Sequence, residues 1–459
     1  MKKTLAIVLA LVMILSLATT AFADETYSIT INNETSGYTY VTYQIFAGDY
    51  SEGVLSNIVW GSGVSNEGRT ALQTKYGVNS AAELAEKLTE DNAAEFAKDV
   101  SAYLTDVLTE LAYSEGKYSA TLAAAGYYLV KNTVIPEGGA YTSYILKVVG
   151  AASANHKGNV PTSEKELANT ATSYDIGSSI GYVLTGTLPS NYNEYTTYNY
   201  KFTDTMSKGL TYNNDAKVWA VNDGTKTEIT TNFTITPTVD DETGVTTLVV
   251  NCDNLKAIDV IGSGTEIVVE YSATLNEDAL TVDKINNTAN LEYSNNPYDE
   301  GTGTTTTDDV EVYTFTITID KVDGSDSSKK LEGAEFVLKN ESGKYYFWND
   351  EDNKVEWVDT EAAATKLVTD ENGAASTKGI AAGNYTLVEI KAPAGYNLLA
   401  EGVNVEITNA DVSEQVQNNS GSTLPSTGGI GTTLFYIFGG ILVVGAVVLL
   451  VTKKRMNVA

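Results

Sequence analysis

The sequence has 459 residues, a length that allows about three domains, and 29 lysine and arginine residues face 59 aspartate and glutamate residues, a net charge of −30. A surface this acidic repels nucleic acid, so we expect no nucleic-acid partner. The single cysteine and the single histidine exclude a disulfide framework and leave too few ligands for a typical metal or redox site. We therefore expect no metal and no cofactor.

The first 23 residues have the three parts of a secretory signal peptide. Lys2 and Lys3 precede an apolar stretch at residues 5–17, and the small-x-small cleavage sequence AFA follows at residues 21–23. We expect the chain to be exported and the mature protein to begin at Asp24.

Most of the remaining chain alternates apolar and polar residues in short runs separated by Gly, Asn and Asp, and 29 tyrosines far outnumber 10 phenylalanines. This pattern is typical of β-strands with many half-exposed positions. It predicts an all-β fold of tandem immunoglobulin-like sandwiches, with polar boundaries near residues 150–166 and 295–310. The predicted segments are a signal peptide at 1–23, domains at 24–160, 161–310 and 311–420, and a C-terminal segment at 421–459.

An exception to the strand pattern lies at residues 80–111. Ser80 and Glu83 have the spacing of a helix-capping box. The apolar residues that recur at helical spacing are Leu84, Leu88, Phe96, Val100, Leu104, Val107, Leu108 and Leu111. We therefore predict a helical insertion in the first domain.

Three polar residues of the middle domain, Lys165, Asp204 and Asn287, share the apolar parity of their strands. The apolar residues of the same parity are Leu167 for the first strand, Tyr198, Tyr200 and Phe202 for the second, and Ala289, Leu291 and Tyr293 for the third. Strand alternation therefore predicts that all three polar side chains point into the core.

The third domain repeats this plan with Lys321, Glu389 and Asn418. Lys321 shares parity with the apolar residues of YTFTITIDK, and Asn418, rather than Asn419, shares parity with Val416. Glu389 shares parity with Tyr385 and Leu387, which places its carboxyl group beside them in the core, although Val388 and Ile390 make the other face of this strand apolar too.

Such a trio has a specific chemistry. Burial lowers the pKa of a lysine from ~10.4 and raises that of a carboxylic acid from ~4, so the proton can reside on the acid and leave a nucleophilic amine. The protonated acid can polarise the asparagine carboxamide while ammonia leaves, forming one amide bond per domain without turnover. The alternative is that each lysine is a solvated strand residue and each asparagine a turn former.

Several motifs resemble those of the sortase-assembled backbone pilins of Gram-positive bacteria. They are YTLVEIKAPAGY, similar to the pilin E-box, IDKVDG and LEGAEFVL, typical of collagen-adhesin B-type domains, TDTMSKGLTY, and the terminal LPSTGG. The resemblance implies collagen-adhesin A/B-type sandwiches with isopeptide bonds Lys165–Asn287, catalysed by Asp204, and Lys321–Asn418, catalysed by Glu389. The first domain has Lys131 after GYYLV where an E-box would place an acid, so we expect no such bond there.

The C-terminal segment has the three parts of a sortase sorting signal. LPSTGG, with Leu424, Pro425, Thr427 and Gly428, matches the Leu-Pro-x-Thr-Gly pattern that sortases read, and cleavage is expected between the threonine and the glycine. Residues 434–451 are uncharged and apolar, and Lys453, Lys454 and Arg455 follow. We therefore expect a transmembrane helix with a cytoplasmic basic tail.

The sortase must pass the cleaved threonine to an amine. In related pilins the acceptor lysine lies at the junction of the first two domains, before a Val-Pro-Thr segment, and Lys157 in NHKGNVPTSEKEL has that position. Asn155-His156 stands where Tyr-Pro would be expected, and Lys147 is the alternative acceptor. The neighbouring His156 is interpreted as a bystander.

The resemblance implies a structural backbone subunit of a covalent pilus that supports adhesion, on the cell wall of a Gram-positive bacterium, with a precursor held transiently in the membrane. The implied partners are pilin-specific and housekeeping sortases, identical and minor pilin subunits, peptidoglycan, and a host surface or matrix ligand. We expect no enzyme beyond the single-turnover bond formation. The alternative function is a wall-anchored monomeric adhesin, or a tip or minor pilin.

Overall fold

The computed structural model describes residues 26–421 and 430–456, except 53, 90, 91, 157, 159 and 299, and within the C-terminal helix it describes the side chains of residues 436–450. One compact unit runs to residue 314 and includes 350–354, and a second comprises 315–349 and the chain from 355 onward. Each unit is built from β-sheets that pack face to face, so the prediction of tandem β-sandwiches is confirmed.

The first sandwich has nine strands in two sheets. The strands are β1 (Tyr27–Asn32), β2 (Thr39–Ser51), β3 (Val54–Trp60), β4 (Thr109–Glu110), β5 (Ala112–Ser114), β6 (Lys117–Leu122), β7 (Gly126–Val134), β8 (Ser143–Val148) and β9 (Ala151–Asn155). One sheet has the order β5-β6-β1-β9, and the other has the order β3-β2-β7-β8 with β4 beside β2. Apolar residues of both sheets, including Ile29, Tyr40 and Val130, form the core between them.

Three helices cover the outer face of the β2–β7–β8 sheet. They are α1 (Asn66–Tyr76), α2 (Ala81–Lys87) and α3 (Ala93–Ser101). Leu72, Leu84 and Phe96 from these helices pack with Tyr43 and Ile45 from β2. Strand β2 is therefore buried on both of its faces, which explains its nearly continuous apolar run.

The predicted helical insertion is present with different boundaries. The Ser80 hydroxyl accepts a hydrogen bond from the Glu83 amide at 3.2 Å, as a capping box requires, while the Glu83 carboxylate accepts one from the amide of Asn79 at 2.8 Å. The helices begin earlier, at residue 66, and end at 101. The prediction of helix beyond that point is wrong, because the chain there returns to the sheet: Leu104 bridges Val64, and residues 109–110 form β4.

The middle sandwich has twelve strands. They are β10 (Ser163–Leu167), β11 (Ser179–Gly186), β12 (Tyr200–Met206), β13 (Leu210–Tyr212), β14 (Lys217–Asn222), β15 (Thr225–Glu228), β16 (Thr234–Val239), β17 (Thr246–Cys252), β18 (Glu266–Leu275), β19 (Ile285–Ser294), β20 (Thr302–Thr304) and β21 (Asp308–Val312). One sheet has the order β10-β11-β18-β14-β15, with β13 beside β18. The other has the order β16-β17-β12-β19-β20, with β21 beside β19. Strands β10 and β19 thus belong to different sheets.

The third sandwich has nine strands. They are β22 (Ile317–Asp323), β23 (Glu335–Asn340), β24 (Tyr345–Asn349), β25 (Lys354–Val358), β26 (Leu367–Val368), β27 (Ala374–Ser376), β28 (Gly383–Lys391), β29 (Val403–Ile407) and β30 (Val412–Asn418). The small sheet has the order β27-β22-β30, and the large one has the order β25-β24-β23-β28-β29 with β26 beside β23. The first and last strands, β22 and β30, are parallel neighbours, with Lys321 opposite Val416 and Asp323 opposite Asn418.

The C-terminal segment forms helix α4 (Ile430–Met456). The transmembrane helix expected at residues 434–451 extends beyond the side chains that are described, 436–450. Within the described residues, no helix is long and apolar enough to cross a membrane.

Candidate functional site

Lys165, Asp204 and Asn287 come together in the interior of the middle sandwich, and we call these residues the middle cluster. Their exposed fractions are 4%, 0% and 0%. Lys165 projects from β10 of one sheet, and the other two project from the paired strands β12 and β19 of the opposite sheet. The lysine Nζ donates a hydrogen bond to Oδ2 of Asp204. The alternation rule therefore identified the inward direction of all three side chains.

Tyr271, on β18, also belongs to the middle cluster. Its hydroxyl oxygen lies 2.7 Å from Lys165 Nζ, 2.7 Å from Asp204 Oδ2 and 2.7 Å from Asn287 Nδ2. Oδ1 of Asp204 and Oδ1 of Asn287 are buried and have no hydrogen-bond partner. An ionised carboxylate can only accept hydrogen bonds. Protonation of Asp204 would give its carboxyl group an O–H that can donate one.

Burial sets the protonation of the middle cluster. It lowers the pKa of Lys165, and the negative charge of Asp204 opposes that change. Burial likewise raises the pKa of Asp204, opposed by the lysine. The rings of Tyr182 and Tyr271, 5.0 and 5.3 Å from Nζ, favour an ammonium, but such contacts are weaker than the desolvation of a buried charge. The interior therefore favours a neutral amine beside a neutral acid.

Lys321, Glu389 and Asn418 form a second buried group in the third sandwich, which we call the third cluster. Their exposed fractions are 0%, 5% and 1%. Lys321 Nζ donates to Oδ1 of Asn418 at 2.5 Å and to the backbone carbonyl of Val416 at 3.0 Å. The asparagine nitrogen Nδ2 lies 2.9 Å from both carboxylate oxygens of Glu389. The amine thus faces the carboxamide oxygen, and the acid faces the carboxamide nitrogen.

The segment after the E-box fixes the orientation of the third cluster. The carbonyl of Asn397 accepts a hydrogen bond from Asn418 Nδ2 at 2.9 Å, and the amide of Leu399 donates to Glu389 Oε2 at 2.8 Å. Burial lowers the pKa of Lys321 to about 8, while the charge of Glu389 acts in the opposite direction. At pH 7 about a tenth of this lysine is therefore an uncharged amine, far more than for a lysine of ordinary pKa.

Sequence reasoning missed Tyr271, Asn397 and Leu399. Tyr271 shares parity with Val269 and Ala273 in IVVEYSATL, so alternation could have identified it as buried, but it belongs to no motif that connects it with a lysine. The other two act through backbone groups, which leave no signal in the side-chain pattern.

Several predicted site residues lie outside the described part of the chain. These are Lys157, Leu424, Pro425, Thr427 and Gly428, together with the signal peptide at 1–23. Their predicted roles stay predictions.

The neighbours of the predicted acceptor are described. Lys147 lies on β8 and is half-buried. His156 is also half-buried, and its Nδ1 lies 2.8 Å from the hydroxyl of Tyr40. Burial lowers the pKa of this histidine to about 4, so it is neutral at pH 7.

Two aspartates in acidic stretches of the sequence, Asp240 and Asp323, stabilise turns. Asp323 accepts hydrogen bonds from the amide and hydroxyl of Ser325 and from the hydroxyl of Tyr396, and Asp240 accepts from the amides of the hairpin between β16 and β17. Within the described residues, no group of three or more His, Cys, Asp or Glu side chains could hold a metal ion.

The middle and third sandwiches thus each enclose one lysine, one carboxylic acid and one asparagine. Residues 176–297 match the Gram-positive pilin backbone subunit 2, Cna-B-like domain, residues 315–420 match a prealbumin-like fold domain, and residues 416–458 match the LPXTG cell wall anchor motif. In domain content the chain is similar to the backbone pilins of Gram-positive bacteria, and it carries a cell wall anchor motif.

One curated protein is similar to this chain over part of its length. The chain is 28% identical over 327 residues to the trypsin-resistant surface T6 protein of Streptococcus pyogenes serotype M6, which covers 67% of this chain and 56% of that protein. The chain therefore matches little more than half the length of this curated relative.

Two solved structures share the fold. The T6 backbone pilin of serotype M6 Streptococcus pyogenes has a TM-score of 0.58 at 21% identity, over 84% of this chain and 81% of the other. The full-length major pilin SpaD from Corynebacterium diphtheriae has a TM-score of 0.55 at 16% identity, over 87% and 98%.

Proposed function

We propose that this chain is the structural backbone subunit of a covalent cell-surface pilus, in which two intramolecular Lys–Asn isopeptide bonds stiffen each subunit and a sortase joins successive subunits. The observation that carries the proposal is the repeated burial of a lysine with an acid and an asparagine, in two successive sandwiches of a chain with a cell wall anchor motif. Burying a lone ammonium costs several kcal/mol. Conversion of the amine to an amide removes that cost permanently.

The geometry of the third cluster suits the reaction. The neutral amine of Lys321 attacks Cγ of Asn418, the Cγ–Nδ2 bond breaks, and Nδ2 leaves as ammonia with a proton that originates on Nζ. Glu389 contacts Nδ2 with both oxygens, so it is placed to return that proton to the leaving nitrogen. Of the two roles expected for the acid, polarising the carboxamide and shuttling protons as ammonia leaves, these contacts favour the second.

Assembly would use the sorting signal. A sortase would cleave between Thr427 and Gly428, hold the threonine as a thioester on its own cysteine, and transfer it to Lys157 of the next subunit. A pilin-specific sortase would build the polymer from identical subunits and minor pilins, and a housekeeping sortase would attach it to peptidoglycan. The acidic surface is compatible with a host surface or matrix ligand.

Gel analysis of cell-wall extracts tests the assembly. In a host that expresses the pilin sortase, the wild-type chain should give a ladder of bands that survives boiling in detergent. Lys157→Ala should reduce the ladder to the monomer, since the acceptor amine is lost. Lys117→Ala, which removes an exposed lysine on β6, is the matched control and should leave the ladder intact.

The same gel separates the alternatives. A wild-type chain that yields one wall-linked band would support the monomeric adhesin and contradict polymerisation. A ladder that persists in Lys157→Ala but disappears in Lys147→Ala would move the acceptor role to the fallback residue.

Intact mass tests the internal bonds. The mature chain should be lighter than its sequence by one ammonia per bond, two in total. Asp204→Ala and Glu389→Ala should each restore one ammonia, because each removes the acid of one cluster. The unmodified mass in the wild-type chain would refute the isopeptide chemistry.

A further inference from the structure

The two clusters place their acids differently relative to the leaving nitrogen. In the third cluster, both oxygens of Glu389 lie 2.9 Å from Nδ2 of Asn418. In the middle cluster, Nδ2 of Asn287 donates instead to the hydroxyl of Tyr271 at 2.7 Å, and that hydroxyl donates to Asp204 Oδ2 at 2.7 Å. Two hydrogen bonds of 2.7 Å therefore connect this acid with its leaving group through a tyrosine, in addition to the weaker direct interaction of Asp204 with the Asn287 side chain.

The hydroxyl of Tyr271 uses its full hydrogen-bonding capacity inside the cluster. A phenol has one proton to donate and two lone pairs to accept with. It donates to Asp204 and accepts from Lys165 and from Asn287. It therefore contacts the attacking nitrogen, the acid and the leaving nitrogen at the same time, in a fully buried site.

We propose that Tyr271 is a catalytic residue of the middle sandwich, which relays a proton from Asp204 to Nδ2 of Asn287 as ammonia leaves. This proposal rests on the isopeptide chemistry proposed above. It assigns different proton paths to the two clusters, a direct one through Glu389 and a relayed one through Tyr271.

The relay balances in atoms and protons. Nζ of Lys165 forms a bond to Cγ of Asn287 and gives one proton to Asp204. Once Cγ is tetrahedral, Nδ2 can accept a hydrogen bond, and the phenol O–H turns to it from Asp204. The carboxyl group then gives one proton to the phenol oxygen as the phenol gives its own proton to Nδ2. The Cγ–Nδ2 bond breaks, ammonia departs, and the acid and the tyrosine end in the protonation states in which they began.

Tyr182 provides a matched control. Its ring stacks on that of Tyr271, with centroids 5.4 Å apart and an angle of 18°. Its hydroxyl, however, is buried without any hydrogen-bond partner. Tyr182→Phe thus removes a neighbouring buried hydroxyl and leaves the proposed proton path untouched.

The experiment follows bond formation in the full chain. The chain is made by a pulse of cell-free translation, samples are denatured during the chase, and the Lys165–Asn287 and Lys321–Asn418 cross-linked peptides are quantified by mass spectrometry. Tyr271→Phe should slow the first cross-link at least tenfold and leave the second unchanged, which makes the third sandwich an internal reference. Tyr182→Phe should behave as the wild type.

A rescue variant separates proton transfer from packing. Asp204→Glu lengthens the acid by one methylene, so that in the Tyr271→Phe background the carboxyl group can approach the leaving nitrogen as Glu389 does. The double variant should regain most of the lost rate. A purely structural role of the tyrosine predicts no rescue, because the extra methylene further crowds the core.

The outcomes are distinct. Normal formation of the Lys165–Asn287 cross-link in Tyr271→Phe overturns the relay, while the proposed function stands. Absence of both cross-links in the wild type overturns the relay and the proposed isopeptide chemistry together. Near-UV circular dichroism reports whether each variant packs. If Tyr271→Phe does not pack, the wild-type rates in mixtures of light and heavy water decide. A relay predicts a curved dependence on deuterium fraction for the first cross-link, and a linear dependence overturns it.

Discussion

The two buried lysines, Lys165 and Lys321, are both proposed to form isopeptide bonds, but their surroundings differ. Lys165 contacts its acid directly, whereas the amine of Lys321 contacts the carbonyl of Val416 and the carboxamide oxygen of Asn418. In the part of the chain that the structure describes, Lys321 therefore has no carboxylate within hydrogen-bonding distance. Because of this, burial lowers the pKa of Lys321 with little opposition from a neighbouring negative charge. The pKa of about 8 makes this lysine the more informative one for a titration experiment.

The pH dependence of the free energy of unfolding should report the pKa of Lys321 in a variant that cannot form the Lys321–Asn418 bond. In Glu389→Gln, the folded state releases the Lys321 proton at about pH 8 or below, and the unfolded state releases it near the ordinary value of 10.5. Between these values the unfolded state binds more protons, so stability rises with pH, by roughly 3 kcal/mol in total. Below that window both states are protonated, and the full cost of the buried charge remains.

Urea unfolding at several pH values measures this change. The control is Glu389→Gln combined with Lys321→Met, which keeps the side-chain length and removes the titrating amine. Other groups titrate equally in both chains, so the difference between them isolates Lys321. Parallel pH curves for the two chains would contradict a lowered pKa.

At these sites the sequence was sufficient to predict the inward direction of all six residues. Alternation with a period of two is a geometric property of strands, so it identifies inward residues such as Lys165 and Asn418 without any tertiary information. The assignment of Glu389 had the weakest basis because both faces of β28 are apolar. Tyr271 and the carbonyl of Asn397 could not be assigned a role, because their partners lie on strands or loops whose pairing the sequence does not define.

Among the secondary-structure elements, strands were easier to predict than helices. The helical spacing around residue 80 is real, and the Ser80–Glu83 cap forms. Beyond residue 101 the same spacing of apolar residues does not produce helix, since Thr42 and Tyr40 of β2 offer backbone carbonyls that bond the amides of Leu108 and Leu111. Pairing with an established strand outweighed a weak local preference.

The two proposed bonds connect elements in different ways. In the middle sandwich the bond would join β10 and β19, which belong to opposite sheets, and in the third it would join the parallel neighbours β22 and β30. Each closes a loop on the order of 100 residues, which removes about 5 kcal/mol of unfolded-state entropy in the chain-entropy description of a cross-link. The bond in the middle sandwich would also link its two sheets covalently.

For the whole molecule, the bonds determine which parts of the chain can be extended by tension. The lysine lies on the first strand of the middle and third sandwiches, and the asparagine lies on β19 and on the last strand, β30, respectively. Force would therefore pass from one strand through the amide to the other. The residues between 165 and 287, and between 321 and 418, would then bear no load. A pilus made of such subunits should stretch little before its covalent backbone fails.

Single-molecule pulling of the full chain tests this path. The wild-type chain should show no unfolding step from either protected segment. Lys165→Ala removes the amine of the middle cluster and frees the chain between residues 165 and 287, so one new step of roughly 40 nm should appear. Lys117→Ala, the exposed control in the first sandwich, should add no step. A wild-type chain that already shows the 40 nm extension would mean that the middle sandwich transmits tension through hydrogen bonds alone.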